Sequence, residues 1–91
     1  MEFEWDSKKA HTNFKKHGVS FDEAKTVFND VLAYIFDDEW NSSGEKRELI
    51  IGHAMNGKLL VVSFTERAQG VIRMISARPT TPRERKDYEK H

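Results

Sequence analysis

Apolar residues recur at spacings of three and four through the first third of the chain, and at spacings of two or in unbroken runs through most of the rest. That change of period predicts helices first and strands after. Ahead of the first helix, Phe3 and Trp5 flank Glu4 in a short alternating piece. Asp6 is placed to cap the helix, and Gly18 to close it in the left-handed region that glycine enters cheaply. Between them Ala10, Phe14 and His17 fall at i, i+4 and i+7 on one apolar stripe, while Lys8, His11 and Lys15 form a cationic one. Ser20 and Glu23 have the spacing of a capping box for a second helix. Phe21, Ala24, Val27, Phe28 and Val31 then repeat as a core-facing set. The turn between the two helices is short, so they are expected to pack as a hairpin.

Strand signals begin at Leu32. Residues 32–36 are apolar and aromatic, and residues 37–45 form an acidic loop containing Ser and Gly. Strands are expected over 47–53, 58–66 and 71–78, separated by Asn56-Gly57 and by Ala68-Gln69-Gly70. Asn-Gly between apolar runs is a strong hairpin signal, and a Gly-containing connection of a few residues is the next best. Thr80 or Thr81 before Pro82, with Glu84 just inside, starts a terminal helix to about residue 90. That helix is mostly charged, with Tyr88 as its one substantial apolar anchor. The fold class expected is α+β: a helical hairpin on one face of an antiparallel sheet of about four strands, then a C-terminal helix. Antiparallel sheets can leave one face open, and that face is the expected binding surface.

Composition narrows the function classes. The 91 residues are 33% charged and 37% hydrophobic, and include six Phe, two Trp and two Tyr. This fits one small globular domain, residues 1–91, without repeats or linkers. The absence of cysteine excludes a disulfide framework, a thiolate nucleophile and Cys-ligated zinc. The first residues, MEFEWDSKK, lack the apolar core of a signal peptide, and no run reaches membrane-spanning length, so a cytoplasmic protein without membrane contact is expected. His11 and His17 are six apart and point to different sides of a helix, His53 stands near a turn and His91 is terminal. No metal site and no cofactor are expected from such spacing, and no phosphate-loop, dinucleotide or serine-hydrolase motif is present.

Net charge is zero, but its distribution is not even. Residues 1–45 carry 5 Lys against 10 acids, a balance of −5, and residues 46–91 carry 4 Lys and 6 Arg against 5 acids, a balance of +5. Every arginine lies in the second part, which points to a basic surface and an anionic partner. Arg47 begins one strand, Arg67 sits at the following hairpin turn, Arg73 lies within the return strand, and Arg78 ends it. Arginine keeps its proton at neutral pH, so its chemistry is to grip phosphate and offset charge on a phosphoryl transition state. The alternative is that these are exposed cations paired with Glu45, Glu48 and Glu66. Arg73 and Arg78, five apart, fall on opposite faces of an ideal strand and serve one site only if the strand twists, bulges or ends first. His17 has two readings: a packed helix-end histidine, or the side chain whose ordinary pKa suits acid–base work near neutrality. Lys15 and Lys16 are placed where the helix dipole favours cations. Trp5, Phe14, Phe21, Phe28 and Phe64 read as core.

Several segments together resemble a known family. Phe3-Glu4-Trp5-Asp6, Lys9, Asn13 and Lys16-His17-Gly18-Val19-Ser20-Phe21 are similar to the N-terminal signature of the BrnT toxins. Gly44-Glu45-Lys46-Arg47 before Ile51-Gly52, the run 57–62, Thr65-Glu66-Arg67 and Arg73-Met74-Ile75-Ser76-Ala77-Arg78 resemble its middle segment and central hairpin, and Glu84-Arg85 with Tyr88 its C-terminal run. The resemblance implies a RelE-like fold and the toxin half of a type II toxin–antitoxin module, a ribonuclease acting on RNA to block translation. It also implies a BrnA-type antitoxin carrying a ribbon-helix-helix DNA-binding domain, through which alone the complex reaches operator DNA. Family members commonly continue Arg-Lys-Ala-Thr where this chain has Arg78-Pro79-Thr80-Thr81; one cation is missing, and Pro79 holds Arg78 extended.

On this basis metal-independent endoribonuclease chemistry is expected. Arg67, Arg73 and Arg78 are assigned to phosphate contact and charge stabilisation, and His17 to acid–base transfer. Lys16, Arg47 and Glu45 are assigned to RNA binding. The competing expectation is a module that binds antitoxin or RNA without cutting.

Overall fold

The computed structural model describes residues 1–41 and 44–90. Ser42 and Ser43 of the acidic loop and the terminal His91 lie outside the described residues. In chain order the elements are β1 (Glu2–Glu4), α1 (Ser7–His17), α2 (Phe21–Ala24), β2 (Tyr34–Asp37), β3 (Glu48–His53), β4 (Leu59–Arg67), β5 (Val71–Pro79) and α3 (Pro82–Glu89).

The helix ends follow their caps. The Asp6 carboxylate accepts the Lys8 and Lys9 N–H groups at 2.8 and 3.3 Å, and Gly18 closes α1 at φ 69°. Ser20 and Glu23 form both bonds of a capping box at α2. The expected second helix of the hairpin, however, is a single α turn that tightens into a 3₁₀ turn over Lys25–Asn29. The Thr26 hydroxyl donates to the Glu23 carbonyl at 2.6 Å, competing for the acceptor that an α-helical Val27 N–H would use. Val31 therefore falls beyond the helix and is 94% exposed instead of joining the core. Phe14 is also exposed, at 55%; α1 turns Asn13 inward instead, and Asn13 is its buried residue.

The sheet has five strands in the order β1-β5-β4-β3-β2 and is mixed, correcting the expectation of about four antiparallel ones. The alternating piece at Phe3 is β1, an edge strand parallel to β5, with Phe3 opposite Ile72. Pairings among β2, β3, β4 and β5 are all antiparallel. Asn56-Gly57 makes the β3–β4 turn, with Gly57 at φ 86°.

One face of the sheet carries the main core. Leu60, Val62 and Phe64 of β4, Ile50 of β3, and Ile72, Met74 and Ala77 of β5 pack with Val19, Phe21, Ala24 and Val27. On the other face Leu59, Val61 and Ile51 pack with Tyr88 of α3, flanked by Tyr34 and Leu49. Thr81 caps α3 with Glu84 in a capping box. Tyr88 then donates to Asp30 Oδ2 at 2.9 Å, the same oxygen that accepts the His53 N–H at 2.7 Å. Burial alone would raise the Asp30 pKa, but hydrogen bonds from the His53 and Leu32 amides and from Tyr88 bring it below the ordinary carboxylate value. The second face is thus partly roofed by α3, not fully open.

Candidate active site

A β-bulge decides which side chains share the second face. The β4–β5 register runs Ser63 opposite Ser76 but Phe64 opposite Met74, leaving Ile75 as the extra residue. Ile72 and Met74 face the main core, and after the bulge Ala77 does so. Arg73, beside Met74, and Arg78, beside Ala77, consequently point to the same second face. Arg78 stands opposite Val61 and Arg73 opposite Thr65.

Beyond Tyr88 this face holds a cleft of about 430 Å³. Leu49, Ser63 and Ser76, neighbours across three strands, line it together with Ile75, Asp38 and Asn41. Arg47 and Arg78 both enter it. The Arg78 guanidinium forks onto Glu84, with Nη1 donating to Oε1 at 2.7 Å and Nη2 to Oε2 at 2.8 Å. Nη1 also reaches the Pro79 carbonyl at 3.3 Å, which leaves two of the five guanidinium donors for a ligand. The fork holds the Glu84 carboxyl well below its ordinary range, at about 2, and raises Arg78 further above neutrality. Glu84 is therefore an anion that fixes Arg78, and a poor proton acceptor at neutral pH. Its Oε1 also accepts the Thr81 N–H at 2.9 Å, so one side chain caps α3 and clamps the site.

The other arginines lie elsewhere on the face. Glu4 of β1 accepts Arg73 Nη1 at 2.9 Å and pairs with Arg67 Nη1 at 3.5 Å. Arg73 and Arg78 are roughly 15 Å apart along the strand. The expected arginines thus form two groups, Arg47 with Arg78 in the cleft and Arg67 with Arg73 on Glu4. The carboxylates that hold Arg67, Arg73 and Arg78 come from the two chain ends, Glu4 and Glu84, in place of the Glu45, Glu48 and Glu66 pairings considered above.

His17 and Lys16 line a separate groove of about 310 Å³ between α1 and β5, with Lys8, Lys9, Thr12 and Asn13. Ile75 and Ser76 line both groove and cleft, so the two adjoin across the bulge. Asn13 fixes the helix there. Its amide donates to the Ala77 and Val19 carbonyls at 2.8 and 3.0 Å and accepts the Ala77 N–H at 3.0 Å, replacing a strand partner that β1 is too short to supply. His17 is thus partly buried at the helix end, facing the groove and not the arginine cleft. Glu45 is exposed and lines neither cavity.

Sequence reasoning read Glu84 as a cap and as part of the C-terminal resemblance, assigned no site role to Glu4, Ser63 or Ser76, and named a bulge only as one way for Arg73 and Arg78 to share a face. The Thr81–Glu84 spacing signalled the cap, but nothing local signalled that the same carboxylate returns to Arg78. Among the described residues, no three His, Asp or Glu side chains converge as a metal site, and no helix is long and apolar enough to cross a membrane.

The family model described as "Ribonuclease toxin, BrnT, of type II toxin-antitoxin system" matches residues 5–84. Among solved structures, that of the Brucella abortus ribonuclease toxin BrnT resembles this chain with a TM-score of 0.68 at 24% identity, covering 89% of this chain and 97% of that one. At that identity the likeness shows a shared fold. No curated protein matches the sequence.

Proposed function

Because this chain belongs to the BrnT family of ribonuclease toxins of type II toxin–antitoxin systems, we propose that it is a metal-independent endoribonuclease acting on mRNA to inhibit translation. The observation that carries this reading is the entry of Arg47 and Arg78 into one cleft. A phosphodiester placed there meets two guanidiniums at its non-bridging oxygens, where charge builds in the transition state. The ribose 2′-oxygen attacks the adjacent phosphorus as its proton leaves. The bond to the 5′-oxygen breaks and that oxygen takes up a proton, giving a 2′,3′-cyclic phosphate and a 5′-hydroxyl. Arg67 and Arg73 hold a neighbouring stretch of backbone. His17 faces the adjoining groove and not the cleft, so it serves as the acid–base group only for a ribose lying across Ser76, which both cavities share; Lys16 and Glu45 are auxiliary RNA contacts.

Cleavage of a single-stranded RNA in EDTA tests this. Wild type is expected to cut and leave cyclic phosphate ends, and Arg78→Ala to cut about 10²–10³-fold more slowly, the usual loss for one charge-stabilising donor. No cleavage in EDTA would defeat the metal-free mechanism; an unchanged Arg78→Ala rate would defeat the arginine assignment.

A second reading, a module that binds without cutting, is favoured by one observation: Arg67, Arg73 and Arg78 are all held by carboxylates; Arg78 is also followed by Pro79 where the family commonly has lysine. Induction of the chain alone separates the two, since growth arrest with truncated transcripts requires the nuclease. Under either reading the partner is a BrnA-type antitoxin with a ribbon-helix-helix domain, covering the arginine face and making the operator contacts. Undiminished complex formation by an Arg67→Glu, Arg73→Glu variant would refute that placement.

A further inference from the structure

We propose that the groove between α1 and β5 is a second phosphate subsite, in which Lys8, Lys9 and Lys16 hold the RNA backbone beside the arginine cleft. The inference rests on RNA being the ligand of this protein. It adds a route that the arginines alone do not provide.

Position comes first. Asn13 docks α1 on β5, and Lys9 and Lys16, four residues before it and three after, project from the same side of the helix. Thr12 lies between them with a hydroxyl, and Lys8 completes the lining. Lys9 and Lys16 are about 10.5 Å apart along the helix axis, seven residues at 1.5 Å each. That separation is longer than the step between adjacent phosphates and more than one small anion can bridge, so the two lysines suit different phosphates of one strand. The strand continues into the cleft past Ile75 and Ser76, which both cavities share.

Charge supplies the second argument. Lys25, Lys46 and Lys58 each have a carboxylate within 4.0 Å, and so do Arg67, Arg73 and Arg78. Among the described residues, Lys8, Lys9 and Lys16 have none, and neither do Lys15, Arg83, Arg85, Lys86 and Lys90; what sets Lys8, Lys9 and Lys16 apart is that the three share one groove whose lining contains no carboxylate. A phosphate entering the cleft competes with Glu84 for Arg78; one entering the groove displaces nothing.

Local energetics point the same way. Lys16 lies in the last turn of α1, where the helix dipole favours a cation, so its position has a purely structural explanation. Lys8 and Lys9 lie in the first turn, which contains no acidic residue and where the dipole opposes a cation. Asp6 caps the backbone there but forms no ion pair with either lysine. These two charges weaken the helix they stand on, and they face a cavity. A bound polyanion removes the penalty.

The test uses a 2′-O-methylated oligonucleotide, which has RNA's phosphates but no attacking 2′-hydroxyl, so binding is read without cleavage. Fluorescence anisotropy across salt concentrations compares wild type with the Lys8→Gln, Lys9→Gln, Lys16→Gln variant. Each phosphate contact on a single strand contributes about 0.7 to the slope of log K against log salt, so the slope should fall by about 2 and the Kd at 0.1 M salt rise about 10- to 100-fold. Lys15→Gln, on the same helix outside the groove, should change the slope by less than about 0.3. The triple variant's thermal unfolding midpoint should stay level or rise, since two cations leave the helix start; a purely structural role for these lysines predicts a fall.

An unchanged slope in the triple variant overturns the proposal. A slope loss matched by Lys15→Gln overturns it too, since the effect would be net charge and not the groove. Wild type that binds with the predicted slope loss but does not cut unmodified RNA sinks the nuclease reading and leaves the subsite standing. Wild type that cuts RNA while the slope is unchanged does the reverse.

Discussion

Replacing Asn13 by alanine should cost about 3–4 kcal/mol, most of it from the backbone groups left behind. Asn13 is 7% exposed and satisfies three of them: the Ala77 N–H at 3.0 Å, the Ala77 carbonyl at 2.8 Å and the Val19 carbonyl at 3.0 Å. Each buried group without a partner costs about 1–3 kcal/mol, and water entering from the adjoining groove offsets part of the total. For a domain whose whole stability is of order 5–15 kcal/mol, this is a large share. With a urea m-value of about 1–1.5 kcal/mol/M, the midpoint should fall by about 2–4 M. Trp fluorescence follows the transition, because Trp5 packs edge-on against Phe21 at 5.7 Å while Trp40 is already exposed in the folded state.

Asn13→Asp refines the prediction. A carboxylate still accepts the Ala77 N–H but faces two carbonyl oxygens, whereas the protonated acid donates to one of them. The introduced carboxyl should therefore titrate above its unfolded value of about 3.9. A group with a raised folded pKa contributes stability that is fully present below the unfolded value and lost as pH rises through the folded one. Asn13→Asp should thus lie closest to wild type in acid and fall away toward pH 7. A loss under about 1 kcal/mol for Asn13→Ala, or an Asn13→Asp penalty that does not vary with pH, would refute the account of α1 docking.

The Arg78 fork holds Glu84 at about 2 against an ordinary 4.5; since this folded pKa is depressed, its stabilisation is present above about 4.5 and lost as pH falls toward 2. With both partners partly exposed the contribution is about 1–2 kcal/mol, and denaturation curves from pH 7 down to 3 should show a shallower acid decline for Glu84→Gln. Matching declines in the two proteins would count against the clamp. Gly52→Ala should lower stability by about 1–3 kcal/mol, because its new Cβ would lie 2.7 Å from Ala33 Cβ and 3.1 Å from both Asp30 Oδ2 and Val27 Cγ1. An unchanged thermal midpoint would show that this contact relaxes freely.

What could be read ahead of the fold was local. Asp6, Gly18, Ser20–Glu23 and Thr81–Glu84 announced helix ends because a cap bonds within a few residues of itself, and each forms as read. Phe14 and Val31 were misplaced for reasons a helical period does not contain. Asn13 was drawn inward by strand-edge groups 64 residues away, and Thr26 diverted a helical acceptor. The parallel pairing of β1 had no signal in its three residues, because its partner lies 69 positions along the chain.

By itself, the sequence determined the helix caps, the Asn56-Gly57 turn, the four later strands, the concentration of arginine in the second half and the resemblance to BrnT toxins. Each depends on residues close in the chain or on recurring motifs. The tertiary structure alone decided which charges meet. The acidic and basic halves do not remain apart: Glu4 from one end holds Arg67 and Arg73, and the unpaired lysines of α1 belong to the half with negative net charge. One extra residue, Ile75, reverses the alternation of β5 and brings Arg73 and Arg78 to a common face. A strand's period fixes its faces only while its pairing is regular, and that regularity is settled by the neighbouring strand.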